Sequence, residues 1–594
     1  MDSYQRTHSC GELNAGFAGK QVVLNGWVFK LRNHGGVFFI NLRDRYGVTQ
    51  VVIDENASPE LQSTAESLKF ESCIAVCGTV RPRPENMINP QMSTGEIEVL
   101  AERIVQLNGC ATLPFMIDEE ETQAKEDLRL RYRFLDLRSG GMQKRIALRH
   151  KVTFAVREFL NGEGFYEIET PTFIKSTPEG ARDFLVPSRI HKGKFYALPQ
   201  SPQLYKQLLM VSGFDKYFQI ARCYRDEDAR GDRQPEFTQI DMEMSFVSAE
   251  DIYAMTERMM RHVFRKTMNI DLPVPFPRIA YADAINLYGS DKPELRFDMK
   301  MQDFTETARS CPFSVFRTVA EEGGTVKLLV VPGAAEAYSR KKITELEETA
   351  KIYGAKGLAW MKMTEAGLEG GIAKFFEADT AALAERYGVK TGDLLLFVAD
   401  SHKVACTALG AVRSRLGKDL GLIDPTRFAF CWINDFPLFE WNEEENKWDP
   451  AHHMFTMPKE KYLDTMEHNP GEVIGDLYDL VCNGYELASG SIRIHDPEIQ
   501  KRIFDIVGFS AEQAEEKFGF LLKAFRFGAP PHGGIAPGLD RLVMIMSGVD
   551  SIKDVIAFPK NNVMASPMDD SPSDVEESQL RDLGLAVIEK EADQ

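Results

Sequence analysis

Apolar and polar residues follow two different periods along the chain, and the change of period separates strand-forming from helix-forming segments. Near the N-terminus, short runs rich in Val, Ile, Phe and Thr alternate with Gly, Asn, Asp and Pro, which is typical of strands joined by turns. Five strands in about a hundred residues predict a small closed barrel, for which the OB-fold is the leading candidate. The predicted strands are Val22–Phe29, Gly36–Leu42, Thr49–Asp54, Ile74–Val80 and Glu96–Val105.

A helical period follows the barrel. Apolar residues fall at helical spacing from Ile146 to Leu160, Asn161 and Gly162 end that helix, and the strand FYEIET then runs to Pro171. Further along, the strand-like run LLLFVAD lies in a region with its own Gly-rich and helical stretches, which predicts a domain inserted into a larger one.

We therefore expect an α+β multidomain chain. The predicted parts are an OB-fold barrel over 1–108, a linker over 109–134, a larger domain split into 135–287 and 425–562, an inserted α+β domain over 288–424, and an acidic tail over 563–594.

Composition narrows the class of protein. The 594 residues are 43% hydrophobic and 27% charged, without an apolar run long enough for a membrane span or a secretory signal. The nine cysteines are scattered; Cys73 and Cys77 read as buried strand residues, and no second pair has zinc spacing. These features predict no zinc, reduced thiols and a cytoplasmic location. The net charge of −19 decides little about nucleic acid, because a local basic face can still bind phosphates.

Residues 217–246 read as a strand, a charged loop and a second strand. Period-two alternation in the second strand separates an apolar face from a polar face, and a row of polar groups around a ring on a sheet suits a small-molecule site. The apolar face is predicted to carry Thr238, Ile240, Met242, Met244 and Phe246, and the polar face Phe237, Gln239, Asp241, Glu243 and Ser245.

The loop between these strands is rich in arginine and glutamate. Arg225 lies at the end of the first strand, where its guanidinium could bind a phosphate through two hydrogen bonds. The sequence has neither a phosphate-binding P-loop nor a strand–GxGxxG–helix unit. Bound ATP would therefore have to be held by arginines on an antiparallel sheet.

Two later segments carry candidate metal-binding and anion-binding residues. Asp479 and Glu486 are carboxylates on neighbouring strand-like segments, and such a pair suits Mg²⁺, although structural carboxylates are an equally good interpretation of these two alone. Arg493 follows and could pair with an anionic substrate. A Gly/Pro-rich turn then leads into a helix with Arg541 in its first turn, where the helix start already favours anions.

In the barrel, Phe38 and Phe39 lie on a strand flanked by Lys30, Arg32, Arg43 and Arg45. Aromatic stacking beside basic groups is the basis of single-strand nucleic-acid binding, although a Phe in a strand more often belongs to a core.

The clusters, taken in order, resemble the active-site segments of class II aminoacyl-tRNA synthetases. GFYEIETP resembles motif 1, which lies at the dimer interface in that class; the arginine-rich hairpin resembles motif 2, and GIAPGLDRLVMIM resembles motif 3. Segments such as TPEGARDFLVPSR, YGSDKP, KIYGAKGLAW and KFGFLLKAFRFGAPPHGG resemble bacterial aspartyl-tRNA synthetases over nearly the whole chain, including the inserted domain.

The resemblance implies a role for each motif residue. Arg225 and Arg541 would hold ATP phosphates and, with Glu486, form the catalytic set. Phe237 would stack on adenine, with further ATP contacts from Asp226, Glu227, Gln234, Gly538, Leu539 and Asp540. Asp479 and Glu486 would bind Mg²⁺. Aspartate would be held by Glu179 in the loop KSTPEGA, Ser201, Gln203, Lys206, Gln239, Asp241, His452, His453 and Arg493.

The resemblance also implies the partners, which are L-aspartate, ATP, tRNA-Asp and a second copy of the chain. Aspartate would be activated to aspartyl-adenylate and transferred to the 3′ end of tRNA. The anticodon loop would be bound by Arg32, Phe39 and Gln50. His34 in the turn RNHGG and Asn86 in RPENMINP align with positions that influence tRNA choice, and a His in that turn favours enzymes that also charge tRNA-Asn.

Other functions stay open on the sequence. An enzyme charging only tRNA-Asp, an asparaginyl- or lysyl-tRNA synthetase, a tRNA-independent asparagine synthetase and a non-catalytic RNA-binding paralogue share parts of this layout. Arg493 with Lys206 favours an anionic side chain, the barrel favours a tRNA substrate, and the presence of Arg225, Glu486 and Arg541 favours catalysis.

Overall fold

The computed structural model describes residues 5–118, 120–177 and 180–588. The described residues form two compact units, one up to residue 143 and the other from residue 144 onward. Within the described ranges the chain forms twenty-two strands and sixteen α-helices.

The strands are β1 Gln21–His34, β2 Val37–Asp44, β3 Gly47–Ile53, β4 Cys73–Pro82, β5 Ile97–Asn108, β6 Tyr166–Glu167, β7 Leu185–Pro187, β8 Phe195–Ala197, β9 Lys216–Tyr224, β10 Glu236–Ser245, β11 Arg278–Ala280, β12 Met301–Asp303, β13 Thr325–Val331, β14 Ala359–Thr364, β15 Gly367–Glu369, β16 Leu394–Asp400, β17 Phe430–Asn434, β18 Phe439–Asn442, β19 Lys447–Pro450, β20 Leu477–Cys482, β21 Tyr485–Ile492 and β22 His532–Pro537.

The helices are α1 Pro59–Ser67, α2 Glu126–Arg131, α3 Arg133–Asp136, α4 Gly140–Gly162, α5 Gln203–Val211, α6 Ala249–Met268, α7 Tyr281–Tyr288, α8 Thr305–Ser310, α9 Ser314–Glu321, α10 Arg340–Ile352, α11 Thr380–Tyr387, α12 His402–Asp419, α13 Pro497–Ile506, α14 Ala511–Phe525, α15 Leu539–Ser547 and α16 Glu577–Leu583.

In the first unit, β1 to β5 close into a barrel in the order β1-β2-β3-β5-β4. The predicted five-stranded barrel is therefore confirmed. Its interior is filled by alternate apolar residues of the strands, as a small barrel requires. Phe38 is one of these core residues, so of the two adjacent phenylalanines only Phe39 is partly exposed.

The second unit is built on an eight-stranded sheet in the order β11-β17-β20-β21-β22-β10-β9-β6. Neighbours are antiparallel except β11 with β17 and β6 with β9. Helices α4, α6 and α15 pack on one face through a single apolar core, whose members include Val156, Met259 and Leu542. The opposite face carries the polar side chains of the candidate site.

Within 301–400 the chain forms a separate five-stranded sheet in the order β12-β13-β16-β14-β15. The predicted strand LLLFVAD is confirmed as β16. It is apolar throughout because both faces are covered: Leu394 and Leu396 pack with α10 and α12, whereas Leu395 and Phe397 pack with α8, α9 and α11.

Two local predictions are wrong. The run FYEIET contributes only the two residues of β6 to the sheet. Phe246 does not continue β10, because its backbone is left-handed (φ 60°) and its side chain is 72% exposed. Across the described ranges, no helix has the length and apolar content needed to cross a bilayer.

Candidate functional site

The polar face of β10 is the floor of the candidate site. Thr238, Ile240, Met242 and Met244 are buried on the core side, as the alternation predicted. Asp241 and Glu243 therefore face the other way, and both carboxylates are fully buried.

Two buried cations meet these carboxylates. Lys206 on α5 places its Nζ 2.6 Å from Asp241 Oδ1 and 3.3 Å from Glu243 Oε2. Arg493, which follows β21, donates from Nε to Glu243 Oε1 at 3.0 Å. Glu243 thus lies between two cations, and the four groups carry two positive and two negative charges.

The pKa values of the two carboxyl groups shift in opposite directions. Burial raises the pKa of Asp241, and the nearby Lys206 opposes this only in part. Burial also acts to raise the pKa of Glu243, but Arg493 and Lys206 outweigh it and hold that pKa below its ordinary value. Among the described residues, Oδ2 of Asp241 makes no hydrogen bond of good geometry, although the Tyr217 hydroxyl lies close enough to interact with this carboxyl group. This oxygen can therefore accept a further hydrogen bond.

Arg493 is held from a second side. Its Nη1 donates to Ser491 Oγ at 2.7 Å and lies 2.7 Å from His453 Nε2. Burial, followed by the positive charge of Arg493, lowers the pKa of His453 well below its ordinary value. The lowered pKa favours the neutral ring, whose Nδ1 accepts from the backbone N–H of Phe455 at 3.2 Å.

A buried amide chain runs beside this cluster. Gln203 Nε2 donates to Gln207 Oε1 at 3.1 Å, and Gln207 Nε2 lies 3.1 Å from His532 Nε2. His532 Nδ1 donates to the carbonyl of Pro530 at 2.8 Å, so the ring is neutral with Nε2 as acceptor. Burial accordingly lowers the pKa of His532.

Asp479 and Glu486 share one face of the β20–β21 pair. Glu486 is opposite Val481, two residues from Asp479, and a bulge at Leu487 keeps both carboxylates on the same side. Burial, followed by repulsion from Glu486, raises the pKa of Asp479 well above its ordinary value. The Ser489 side chain interacts with the Asp479 carboxyl group and partly opposes this rise, but Oδ1 itself is buried without a hydrogen bond of good geometry among the described residues. Nζ of Lys292 lies 3.7 Å from Glu486 Oε2.

Arg225 and Phe237 lie together at the other end of β10. The guanidinium carbon of Arg225 is 5.1 Å from the centre of the Phe237 ring, a cation–π contact. The Nε of Arg225 is buried without a hydrogen-bond partner in the described part of the chain.

Arg541 lies in the first turn of α15, and its side chain extends to Glu486. It donates to the backbone carbonyl of Glu486, and its Nη2 lies 3.3 Å from Asp232 Oδ2. Because Asp232 belongs to the loop that follows Arg225, this ion pair joins the second and third motifs.

Other residues of the third motif anchor the helix instead of facing open space. Leu539 is in the apolar core, so only its backbone could contact a ligand. Asp540 accepts from Arg149 Nη1 at 2.5 Å and from the Thr238 backbone at 2.7 Å, which ties α15 to α4 and β10. Gly538 donates its backbone N–H to Leu487 O.

Three predicted ATP contacts have protein partners. Both ends of the Gln234 amide bond to the backbone of Lys560, at 2.8 and 3.1 Å. Glu227 pairs with Arg233 at 3.2 Å, and Asp226 lies 3.5 Å from Arg182.

Among the predicted aspartate contacts, Ser201 Oγ accepts from the Gln203 backbone at 3.4 Å. Gln239 Oε1 accepts from the Cys223 thiol at 3.3 Å. His452 packs edge-on against Phe436. Glu179 lies outside the described residues.

The barrel brings three of its five predicted tRNA residues together. Arg32 and Phe39 are cross-strand partners, and His34 makes an edge-to-face contact with Phe39 at 6.0 Å. Gln50 lies on the same face, with its amide donating to Glu98 at 2.9 Å. Asn86 is exposed on the short turn Glu85–Met87, and among the described residues no hydrogen bond or ring contact joins it to the other four.

Residues 125–562 match the family model for class II tRNA synthetases (D, K and N), and residues 22–107 match the model for the OB-fold nucleic acid binding domain. The chain belongs to the class II tRNA synthetases. It is 67% identical over 591 residues to an aspartate–tRNA(Asp/Asn) ligase of Treponema denticola, covering 99% of this chain and 100% of the relative. A ligase with the same name from a Geobacillus species is 52% identical over 593 residues, covering 100% of both.

Solved structures show the same fold at low identity. Asparaginyl-tRNA synthetase of Pyrococcus horikoshii, complexed with asparaginyl-adenylate, aligns with a TM-score of 0.59 at 19% identity, over 93% of this chain and 97% of that one. Aspartyl-tRNA synthetase of Entamoeba histolytica aligns with a TM-score of 0.57 at 19% identity, over 95% and 93%.

Sequence reasoning assigned no role to four groups that shape this synthetase's site. Glu243 was placed on the polar face of β10 by alternation, but its position between two cations depends on α5 and on the segment after β21. Gln207, His532 and Lys292 lie in stretches without a spacing signal, so only their tertiary contacts reveal them.

Proposed function

We propose that this class II synthetase is an aspartate–tRNA(Asp/Asn) ligase: it activates L-aspartate with ATP and transfers it to tRNA-Asp and tRNA-Asn. The assignment of aspartate as the amino acid is based on the two buried cations, Lys206 and Arg493, which lie beside Asp241 and Glu243.

The side-chain carboxylate of aspartate would bind at Lys206 and Arg493. Their charge is already balanced by Asp241 and Glu243, but both cations retain N–H groups that can donate to a further carboxylate. The amide of asparagine would bring its own donors against these N–H groups and leave them unmatched. Such a mismatch in a dry pocket discriminates strongly without an editing step.

Three buried atoms support the rest of the substrate assignment. The unpartnered Oδ2 of Asp241 suits the α-ammonium group of aspartate, and the unpartnered Nε of Arg225 suits a phosphate oxygen. The unpartnered Oδ1 of Asp479 suits a cation. Native proteins leave few buried polar groups without a partner, which favours bound ligands at all three.

Mg²⁺ fits the pair Asp479 and Glu486. Their oxygens share one face, one oxygen lacks a donor, and Mg²⁺ takes few protein carboxylates together with substrate phosphates. When bound, the metal would neutralise charge on the phosphates of ATP.

The chain's own residues then act by binding and orienting. Arg225 and Arg541 would stabilise negative charge on the phosphates as the α-carboxylate of aspartate attacks the α-phosphorus and pyrophosphate leaves. In the second step the 3′-hydroxyl of tRNA attacks the aspartyl carbonyl and releases AMP. No side chain needs to act as a nucleophile, and the alignment of bound reactants supplies much of the acceleration.

The barrel supports a tRNA substrate and the relaxed choice of tRNA. Phe39 is a partly exposed ring beside the exposed Arg32, which suits stacking of an anticodon base. The turn is closed by the backbone pairing of His34 with Val37 and by the Asn33 side chain, which accepts from Gly36 N–H at 3.1 Å, so the His34 ring is not needed to cap it. Its ring is instead placed at the edge of Phe39. We therefore assign His34 to the anticodon surface and expect it to favour acceptance of tRNA-Asn.

A homodimer is part of the proposal. Large apolar side chains are exposed around the first motif and at the end of β10: Phe154 at 65%, Tyr166 at 64%, Phe173 at 60% and Phe246 at 72%. Exposed apolar residues in such number mark an interface, and motif 1 is its expected place. A cytoplasmic location fits the nine free thiols.

Aspartate-dependent ATP–pyrophosphate exchange tests the amino-acid assignment. The purified enzyme should exchange pyrophosphate with aspartate and give background signal with asparagine or lysine. In this assay the conservative variant Arg493→Lys should raise the KM for aspartate about tenfold or more, whereas Arg278→Lys, a matched change at a surface ion pair, should leave it unchanged. Exchange driven by asparagine or lysine in place of aspartate would contradict the proposal.

The variant His34→Leu tests the assignment of tRNA choice. It should lower kcat/KM for tRNA-Asn relative to tRNA-Asp, with pyrophosphate exchange unchanged because the barrel takes no part in activation. An unchanged ratio of the two charging efficiencies would show that His34 does not set the choice.

A further inference from the structure

A loop at the entrance of the inserted region reaches the proposed metal site. It follows α7 and begins at Gly289, whose left-handed backbone (φ 71°) packs so closely on α12 that an added Cβ would lie 2.2 Å from the Cys406 carbonyl oxygen. Farther along the loop, Arg413 of α12 donates to the carbonyl of Glu294 at 2.9 Å. Helix α12 therefore holds the loop at both ends.

The catalytic sheet holds the same loop from the other side. A Cβ added to Gly484, in the turn between β20 and β21, would lie 3.6 Å from Glu294 Cβ, so this turn and the loop are neighbours at van der Waals distance. Between these fixed points, Lys292 extends towards β21, with Nζ 3.7 Å from Glu486 Oε2 and 3.9 Å from Asp291 Oδ2. The ammonium group thus lies beside one of the two proposed metal carboxylates.

We propose that Lys292 is a positioning residue that takes the place of the divalent cation at Glu486 when no metal is bound, and that it competes with the metal for this carboxylate. The proposal rests on the proposed metal role of Asp479 and Glu486.

Electrostatics favours an exchange of this kind. The unpartnered Oδ1 of Asp479 and the carboxylate of Glu486 share one face, so like charges repel each other unless a cation lies near. A lysine supplies one charge on a flexible four-carbon stem, and Lys292 is 42% exposed, so its side chain has room to leave. A divalent cation at Glu486 would repel the ammonium group and displace it.

The inserted region gains a role from this contact. Because α12 fixes the loop that carries Lys292, the position of the inserted sheet and its helices sets how strongly Lys292 competes for Glu486. The occupancy of the metal site is thereby coupled to a region that supplies none of its carboxylates.

Binding of Mn²⁺ to the full chain without ATP tests the proposal, with free Mn²⁺ followed by electron paramagnetic resonance. The variant Lys292→Met keeps the length of the side chain and removes its charge. It should bind Mn²⁺ about fivefold more tightly than the unaltered enzyme, the scale of a partly exposed ion pair. The matched variant Lys300→Met removes one charge from the same segment at an exposed position and should leave the affinity unchanged. Glu486→Gln should abolish the binding that Lys292→Met strengthens.

Equal or weaker Mn²⁺ binding by Lys292→Met would overturn the proposal, as would an equal gain in Lys300→Met, which would reveal only a general field effect. Binding that is insensitive to Glu486→Gln would remove the metal site and the proposal with it. Aminoacylation by the unaltered enzyme, measured in parallel, separates these outcomes from a failure of the proposed function. If tRNA is charged while Lys292→Met leaves metal affinity unchanged, only the role of Lys292 is lost.

Discussion

Replacement of Glu243 by Gln should destabilise the protein, and added aspartate should restore part of the loss. Glu243 is fully buried between Arg493 at 3.0 Å and Lys206 at 3.3 Å. Glutamine keeps the shape of the side chain but removes the negative charge that both cations share. The variant thus leaves a net positive charge in a buried cluster.

The size of the loss follows from these distances. At an effective dielectric constant of about 20, a unit charge pair at about 3 Å interacts by roughly 5 kcal/mol before desolvation of the carboxylate is set against it. Removal of one partner of a buried ion pair lowers the free energy of unfolding by about 3–5 kcal/mol. We expect a loss within that range for Glu243→Gln.

Denaturant unfolding followed by intrinsic fluorescence measures the loss, and a titration with aspartate tests its origin. Since the substrate carboxylate would replace the missing negative charge, saturating aspartate should raise the unfolding midpoint more in the variant than in the unaltered enzyme. Glu250→Gln, at an exposed pair with Arg278, is the matched control and should change the midpoint little. A Glu243→Gln enzyme within about 0.5 kcal/mol of the original would refute the reasoning, because changes that small are typical of surface sites.

Three further predictions concern the same unit. Because burial lowers the pKa of His532, the unfolded chain takes up a proton below about pH 6.5 that the folded chain does not. The free energy of unfolding should therefore fall as pH drops below that value, by up to about 1.4 kcal/mol per pH unit. The variant His532→Gln should make this fall shallower, and an equal slope would contradict the assignment. Arg493→Lys should raise the KM for aspartate by about tenfold or more, since a charge-assisted hydrogen bond contributes roughly 1.5–3 kcal/mol, and an unchanged KM would exclude direct binding. Asp540→Asn should lower the free energy of unfolding by about 3 kcal/mol through the loss of its pair with Arg149, with the KM for ATP little changed; the reverse pattern would make Asp540 a nucleotide contact.

The pattern of neighbouring residues predicted which side chains share a strand face and where strands end. Alternation in β10 placed Asp241 on the polar face, because neighbouring residues of an extended strand point to opposite sides. The same rule failed at Phe246, where a left-handed backbone ends the strand. The five-stranded barrel was also predictable, since its turns carry the Gly, Asn, Asp and Pro residues that mark strand ends.

The contacts between side chains that assemble the site could not be predicted from the local sequence pattern. Glu243 contacts Arg493, which is 250 residues away, and Asp540 contacts Arg149, which is 391 residues away. The hydrophobic period of either partner carries no information about the other. The role of Asp540 as an anchor of α15 could therefore be recognised only from the tertiary structure.

The most direct test of the account is transfer of labelled aspartate by the purified enzyme to tRNA-Asp and tRNA-Asn transcripts, measured side by side. We predict that both transcripts are charged with comparable efficiency. Charging of tRNA-Asp alone would restrict the function to one tRNA and contradict the role given to His34. Charging of neither transcript, with pyrophosphate exchange also absent, would contradict the assignment as an aspartate–tRNA ligase.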